Sequence, residues 1–211
     1  DTVSAGQIIA SLENQSERAS LLQAEGAYES AVVASASSDV SSENTKKALD
    51  AELSSAVTSY KSMFISADGV IRNTVDVYFS NPRGSNPGFK LDGFGMAPSL
   101  SDDRVAIETI LTEWSRNTTV ITTNNIQSQL SKVEADVLMI SEFVETVSNL
   151  TAQQSTSDTF TETDKATALS ALQSARSAMN SLLSEVTATD TGITNAISDF
   201  QKAELASKEG T

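Results

Sequence analysis

Apolar residues recur along this chain at alternating steps of four and three. From Leu49 the series runs Leu49, Leu53, Ala56, Tyr60, Met63, Ala67, Val70, and Thr74 and Val77 continue it. A second series runs Ile126, Leu130, Val133, Val137, Ile140, Val144, Val147. A third runs Leu169, Leu172, Arg176, Met179, Leu183, Val186, Asp190, Ile193, Ile197, Phe200. A weaker one near the N-terminus passes through Ile8, Leu12, Gln15, Ala19, Leu22, Gly26, Glu29 and Val33, broadened by Ile9, Leu21, Tyr28 and Val32. Spacing of this coiled-coil kind places one apolar seam along a helix that lies nearly parallel to its neighbours.

Polar breaks divide the pattern into four predicted helices. The cluster SASSDVSSENT, ending at Thr45, and TAQQSTSDTFTETD at 151–164 offer caps for the helices that follow. Pro98-Ser99-Leu100-Ser101-Asp102-Asp103 is another start signal, with acidic residues in the first turn. The helices are expected at 4–34, 43–79, 100–149 and 162–207. Short polar connections after the first and third imply antiparallel neighbours. The expected fold is all-α, an elongated up-down-up-down four-helix bundle in a single domain, 1–211. One stretch resists: Arg116-Asn117-Thr118-Thr119-Val120-Ile121-Thr122-Thr123-Asn124-Asn125 is β-branched and Asn-rich, and the seam steps by five from Ile121 to Ile126. A stutter in a continuous helix is the favoured reading, and a local break is the alternative.

Residues 80–99 form the long loop of this scheme. NPRGSNPGFKLDGFGMAPS, 81–99, holds all three prolines and four of the nine glycines. A helix–helix connection needs only about 2–8 residues, and Phe89, Leu91, Phe94 and Met96 are too apolar for an idle crossover. They are expected to fold back over the open end of the core or to form a partner-binding surface, or the loop lines a small-molecule pocket.

Composition narrows the chemistry. The chain carries 28 acidic and 14 basic side chains, a formal charge of −14, with 33 Ser and 22 Thr. A phosphate backbone is repelled by such a chain, and no Lys/Arg-rich run overrides that, so nucleic acid is excluded as a partner, as is an anionic membrane surface. With no Cys and no His, disulfides, thiolate metal sites and His-dependent catalysis are unavailable. No motif requires a metal or cofactor. Asp102-Asp103 read as helix-start charges, and Gly93-Phe94-Gly95 is too short to cradle a phosphate. The expectation is that this is no enzyme. The chain opens at Asp1 with no leader-like segment, which suggests a trimmed or processed product whose membrane anchor, if any, lies outside it.

Arg176 and Asp190 interrupt the seam of the last predicted helix, and a buried charge is costly unless paired. Counting turns places Arg176 near Glu25 and Asp136, and Asp190 near Arg72. Either these charges pair, or Arg176 or Arg72 binds the carboxylate of a small ligand between helices.

Four long helices, no Cys and an acidic Ser/Thr/Ala-rich surface resemble the extracytoplasmic bundle domains of bacterial membrane-anchored proteins such as chemoreceptors and sensor kinases. The resemblance implies an extracytoplasmic location, periplasmic or cell-surface, and, for the sensing members, a small ligand among the helices. Two functions follow as expectations: a surface-tethered structural or protein-interaction module, through a protein partner or self-association, or a small-ligand-sensing domain.

Overall fold

The structure, a computed structural model, describes residues 2–5, 8, 13–91 and 98–209. It is all-α, built on α1 (Gln15–Val70), α2 (Pro98–Asn117), α3 (Ile126–Gln153) and α4 (Glu162–Glu209), with one two-residue hairpin, β1 (Phe79–Ser80) paired antiparallel to β2 (Gly88–Phe89). The chain falls into two compact units, residues 1–47 with 198–211 and residues 48–197. Both α1 and α4 contribute to each.

Two helix boundaries differ from expectation. The predicted helices 4–34 and 43–79 are one: α1 begins at Gln15 and passes through the Ser-rich cluster without a break. Hydroxyls there satisfy themselves inside the helix. Thr45 Oγ1 donates to the carbonyls of Ser41 and Ser42 at 3.1 and 3.0 Å, as Ser30 Oγ does to Gly26 at 2.8 Å. In the same unit Ser35, Ser38, Ser42 and Thr45 are half-buried at three-four spacing, as are Phe200, Ala203, Glu204 and Ser207 of α4. Ser207 Oγ donates to Asp39 Oδ1. Residues that would start a new helix instead face a neighbouring one.

The predicted helix 100–149 is two helices. α2 ends at Asn117, the chain turns, and α3 runs back alongside it. Asn117 Nδ2 donates to Gln129 Oε1 at 3.2 Å, and Lys132 Nζ lies 3.2 Å from Glu113 Oε2. Within the turn Thr118 and Thr119 donate to the carbonyls of Ser115 and Arg116 at 2.6 and 2.7 Å, while Asn125 Oδ1 accepts from the Thr122 N–H at 2.8 Å. Ile121, 8% exposed, anchors it. The Thr/Asn run that weakens helix propensity is therefore the turn itself, the alternative to the stutter.

The core of the 48–197 unit follows the α3 seam throughout and the α1 seam as far as Ala67. All seven residues of the α3 series are buried, as are Ala56, Tyr60, Met63 and Ala67 of α1. The expected start of the last helix also holds: Thr161 and Asp164 form a reciprocal cap, with Asp164 Oδ2 accepting from the Thr161 N–H at 2.9 Å and Thr161 Oγ1 accepting from the Asp164 N–H at 3.2 Å. Side chains of successive helices meet in this unit. Trp114 of α2 meets Tyr60 and Phe64 of α1 edge-on at 6.0 and 6.1 Å between ring centroids. Lys165 Nζ of α4 reaches the Gln154 carbonyl just beyond α3 at 2.7 Å.

Candidate functional site

The most developed polar geometry arises where α1 ends. From Ile71 to Val75 the helix widens into a π-turn, then tightens into a 3-10 turn over Asp76–Tyr78. A π-turn holds more residues than the 3.6 of an α-helix. The inward face consequently advances by fours, through Ala67, Ile71, Val75 and Phe79, all buried. The predicted Val70, Thr74 and Val77 are displaced from it, and Val77 is exposed. The same step of four brings Asp68, Arg72 and Asp76 into one charged stripe beside the apolar one.

That stripe meets α2. Arg72 Nε donates to Asp68 Oδ1 at 3.0 Å, and its two terminal nitrogens grip both oxygens of Glu108, Nη2 to Oε1 at 2.9 Å. Arg104, fully buried, donates to both oxygens of Asp76 at 2.7 and 3.0 Å and to Glu108 Oε2 at 3.0 Å. Burial pushes the Glu108 carboxyl upward, but hydrogen bonds and charge from Arg72 and Arg104 outweigh it and hold it below the ordinary glutamate value. Burial likewise opposes the charge on Arg72, and Glu108, Asp68 and Asp76 more than restore it. Nearer the α2–α3 turn, burial raises Asp136 above the usual aspartate range despite its bond to Lys132, which Glu113 shares. Burial also pushes the Tyr60 phenol up to about 12.

Next to this cluster the loop after α1 is folded. Phe79 and Phe89 oppose each other across the hairpin with centroids 5.4 Å apart, and Phe79 also meets Phe143 of α3 at 5.9 Å. Asn81 takes a left-handed φ of 50° and accepts from the Gly84 N–H at 3.0 Å. A Cβ at position 84 would run into the Asn81 side chain, so the two residues pack closely in this turn. The turn sets Arg83, Gly84 and Ser85 along a cleft of ≈ 320 Å³ whose other wall is the outer face of α2, including Glu108, Thr112 and Arg116.

The residues singled out from sequence are placed as follows. Arg72 does not meet Asp190; it is held by Asp68, Asp76 and Glu108. Arg176 does not meet Asp136, which is bound by Lys132. It sits on the flank of α4, 37% exposed, with Nη2 3.5 Å from Glu145 Oε1. Ala175 occupies the inward position instead, because the buried series is Ala168, Leu172, Ala175, Met179, Leu182, Val186. Phe89 and Leu91 are half-buried, Phe89 against the core, and Phe94 and Met96 lie outside the described residues. The sequence reading missed Arg104, Glu108 and Asp76, whose spacing of four along α2 and across the π-turn is a signal only once the two segments are known to be neighbours.

A different surface stands out on α1. In residues 15–34 every side chain is exposed, including Leu21, Leu22, Tyr28, Val32 and Val33 at 58, 68, 72, 50 and 68%. Leu21, Ala24, Tyr28 and Ala31 extend the spacing on which Ser35, Ser38, Ser42 and Thr45 are half-buried, and Leu22 and Val33 form a second stripe beside them. No helix among the described residues is long and apolar enough to cross a membrane, and no described cluster of acidic side chains is arranged to hold a metal ion. Compared with protein-family models, curated proteins and solved structures, the chain matches none.

Proposed function

We propose that the chain is a non-enzymatic helical module that binds a partner protein along residues 15–34 of α1. The observation that carries this reading is the exposure of Leu21, Leu22, Tyr28, Val32 and Val33 on a single helix. A lone helix of about twenty residues with a central glycine is marginal in water, and tertiary packing supplies most helical stability in proteins. Two apolar stripes side by side suit contact with more than one partner helix. In this reading residues 48–197 are an up-down-up-down bundle that serves as a rigid base, supported by the α1–α2, α2–α3 and α3–α4 contacts. An extracytoplasmic, tethered setting remains part of the proposal, supported by the absence of Cys and by the acidic, hydroxyl-rich composition. The sensing alternative loses weight because Arg72 and Arg176 both carry carboxylate partners.

Site-specific photo-crosslinking in the native cells tests it. A crosslinker at Tyr28 is expected to trap one defined protein, or a second copy of this chain, while the same group at exposed Ser177 of α4 traps neither. Equal, diffuse labelling at both positions overturns the reading.

A further inference from the structure

Five carboxylates around the end of α1 and the facing stretches of α2 and α3 are each engaged. Asp68 is bound by Arg72, Asp76 by Arg104, Glu108 by both, and Glu113 and Asp136 by Lys132. Two guanidiniums of the same neighbourhood are left over. Arg83 and Arg116 both line the ≈ 320 Å³ cleft between the Asn81–Gly84 turn and α2, and neither has a carboxylate partner among the described residues. Arg83 also borders an adjoining cleft of ≈ 280 Å³, with Thr112 common to both.

We propose that this cleft binds a small anion, a carboxylate- or phosphate-bearing molecule, through Arg83 and Arg116. Three features carry the assignment. A planar guanidinium presents paired donors that match a carboxylate or phosphate. Here both arginines line one cleft, and the acidic residues that line it with them, Glu108 and Glu113, are already held by Arg72, Arg104 and Lys132. In a chain of net charge −14, two arginines without a carboxylate partner among the described residues, beside acidic groups that are already paired, lower the local repulsion of an anion. Position is fixed as well. Arg83 stands on a turn closed by the Gly84 N–H on the Asn81 carbonyl, and Ser101 Oγ donates to Asn86 Oδ1 at 3.3 Å, tying the same loop to the first turn of α2. Exposed hydroxyls of Ser85 and Thr112 flank the arginines and can bond a polar ligand body. The site uses none of the α1 face assigned to a protein partner, so either proposal stands or falls without the other.

The test is calorimetric titration of the intact chain at low ionic strength with inorganic phosphate and, separately, with succinate, against sodium chloride at matched ionic strength. Three proteins are compared: the wild type, Arg83→Gln/Arg116→Gln, and Arg18→Gln/Lys61→Gln, which removes two positive charges elsewhere. Circular dichroism verifies that each is folded. Saturable binding of either anion by the wild type and the second variant, weakened at least about tenfold in Arg83→Gln/Arg116→Gln, supports the proposal. The anion that binds then separates phosphoryl from carboxylate ligands. No saturable binding, or equal binding by all three proteins, overturns it.

Discussion

Arg104 is fully buried, and its Nε and Nη2 donate to the two oxygens of Asp76 at 2.7 and 3.0 Å. The pair joins the irregular end of α1 to α2, and its geometry is the fork-to-fork form that compensates desolvation best. Its third nitrogen, Nη1, is buried without an acceptor among the described residues, so the arginine depends on its carboxylate partners. Replacing Asp76 by Ala should therefore cost about 3–5 kcal/mol by urea unfolding, since it strands a buried cation. Asp76→Leu/Arg104→Met, which removes both charges, should recover most of that loss. A cost under about 1 kcal/mol for Asp76→Ala would mean that Glu108 alone holds Arg104.

Glu108 gives this cluster a defined pH response. Its folded carboxyl titrates below the ordinary value of 4.5 because Arg72 and Arg104 outweigh its burial. A depressed carboxylate contributes stability that is fully present above the unfolded value and is lost as pH falls through the folded one. Wild-type stability should accordingly drop below pH 4.5, and Glu108→Gln, less stable at neutral pH, should show a shallower acid limb. Asp136 acts in the opposite sense. Its raised value favours the folded state as it protonates, so Asp136→Asn should steepen the acid loss. Chemical unfolding at closely spaced pH values reads both slopes, and an unchanged acid limb in Glu108→Gln would rule out its part.

The turn between α2 and α3 yields a distance test. In a continuous helix positions 117 and 129 would stand about 18 Å apart, at 1.5 Å per residue. Here their side chains hydrogen-bond at 3.2 Å. Because the chain has no native Cys, Asn117→Cys/Gln129→Cys can be treated with a short bis-maleimide without background. Near-complete intramolecular crosslinking is expected. Failure of the pair to crosslink, in a protein that remains helical, would restore the single long helix.

The all-α class, the α3 seam, the α1 seam as far as Ala67 and the start of α4 at Thr161 were legible because each rests on local spacing or on side chains three residues apart. What the sequence concealed depended on partners distant in the chain. Ser35 to Thr45 carries every mark of a helix start, yet hydroxyls can bond backwards within a helix when a neighbour covers them, and the α4 residue that meets Asp39, Ser207, lies 168 positions away. The Thr118–Asn125 run has the composition of a turn, but a seam can stutter through such a run or stop at it, and only packing decides. The π-turn at Ile71 adds a residue that no propensity announces. It moved Val77 out of the core and created the stripe on which Arg72 and Asp76 converge with α2. Arg83 and Arg116 were invisible as a pair for the same reason.

The phase of α4 supplies the last prediction. A strict four-three series through Leu172 puts Arg176 in the seam, whereas the buried face passes through Ala175 and leaves Arg176 beside Glu145 with 37% of its side chain exposed. Partly exposed ion pairs at such distances contribute little, on the order of 0–1 kcal/mol. Arg176→Ala should thus change the unfolding free energy by less than about 1 kcal/mol. Ala175→Leu, by contrast, adds three carbons where Leu172 and Met179 already fill the interior, and overpacking of that kind costs about 1–3 kcal/mol. If Arg176→Ala proved the more damaging of the two, the arginine and not Ala175 would be the residue that α4 turns inward.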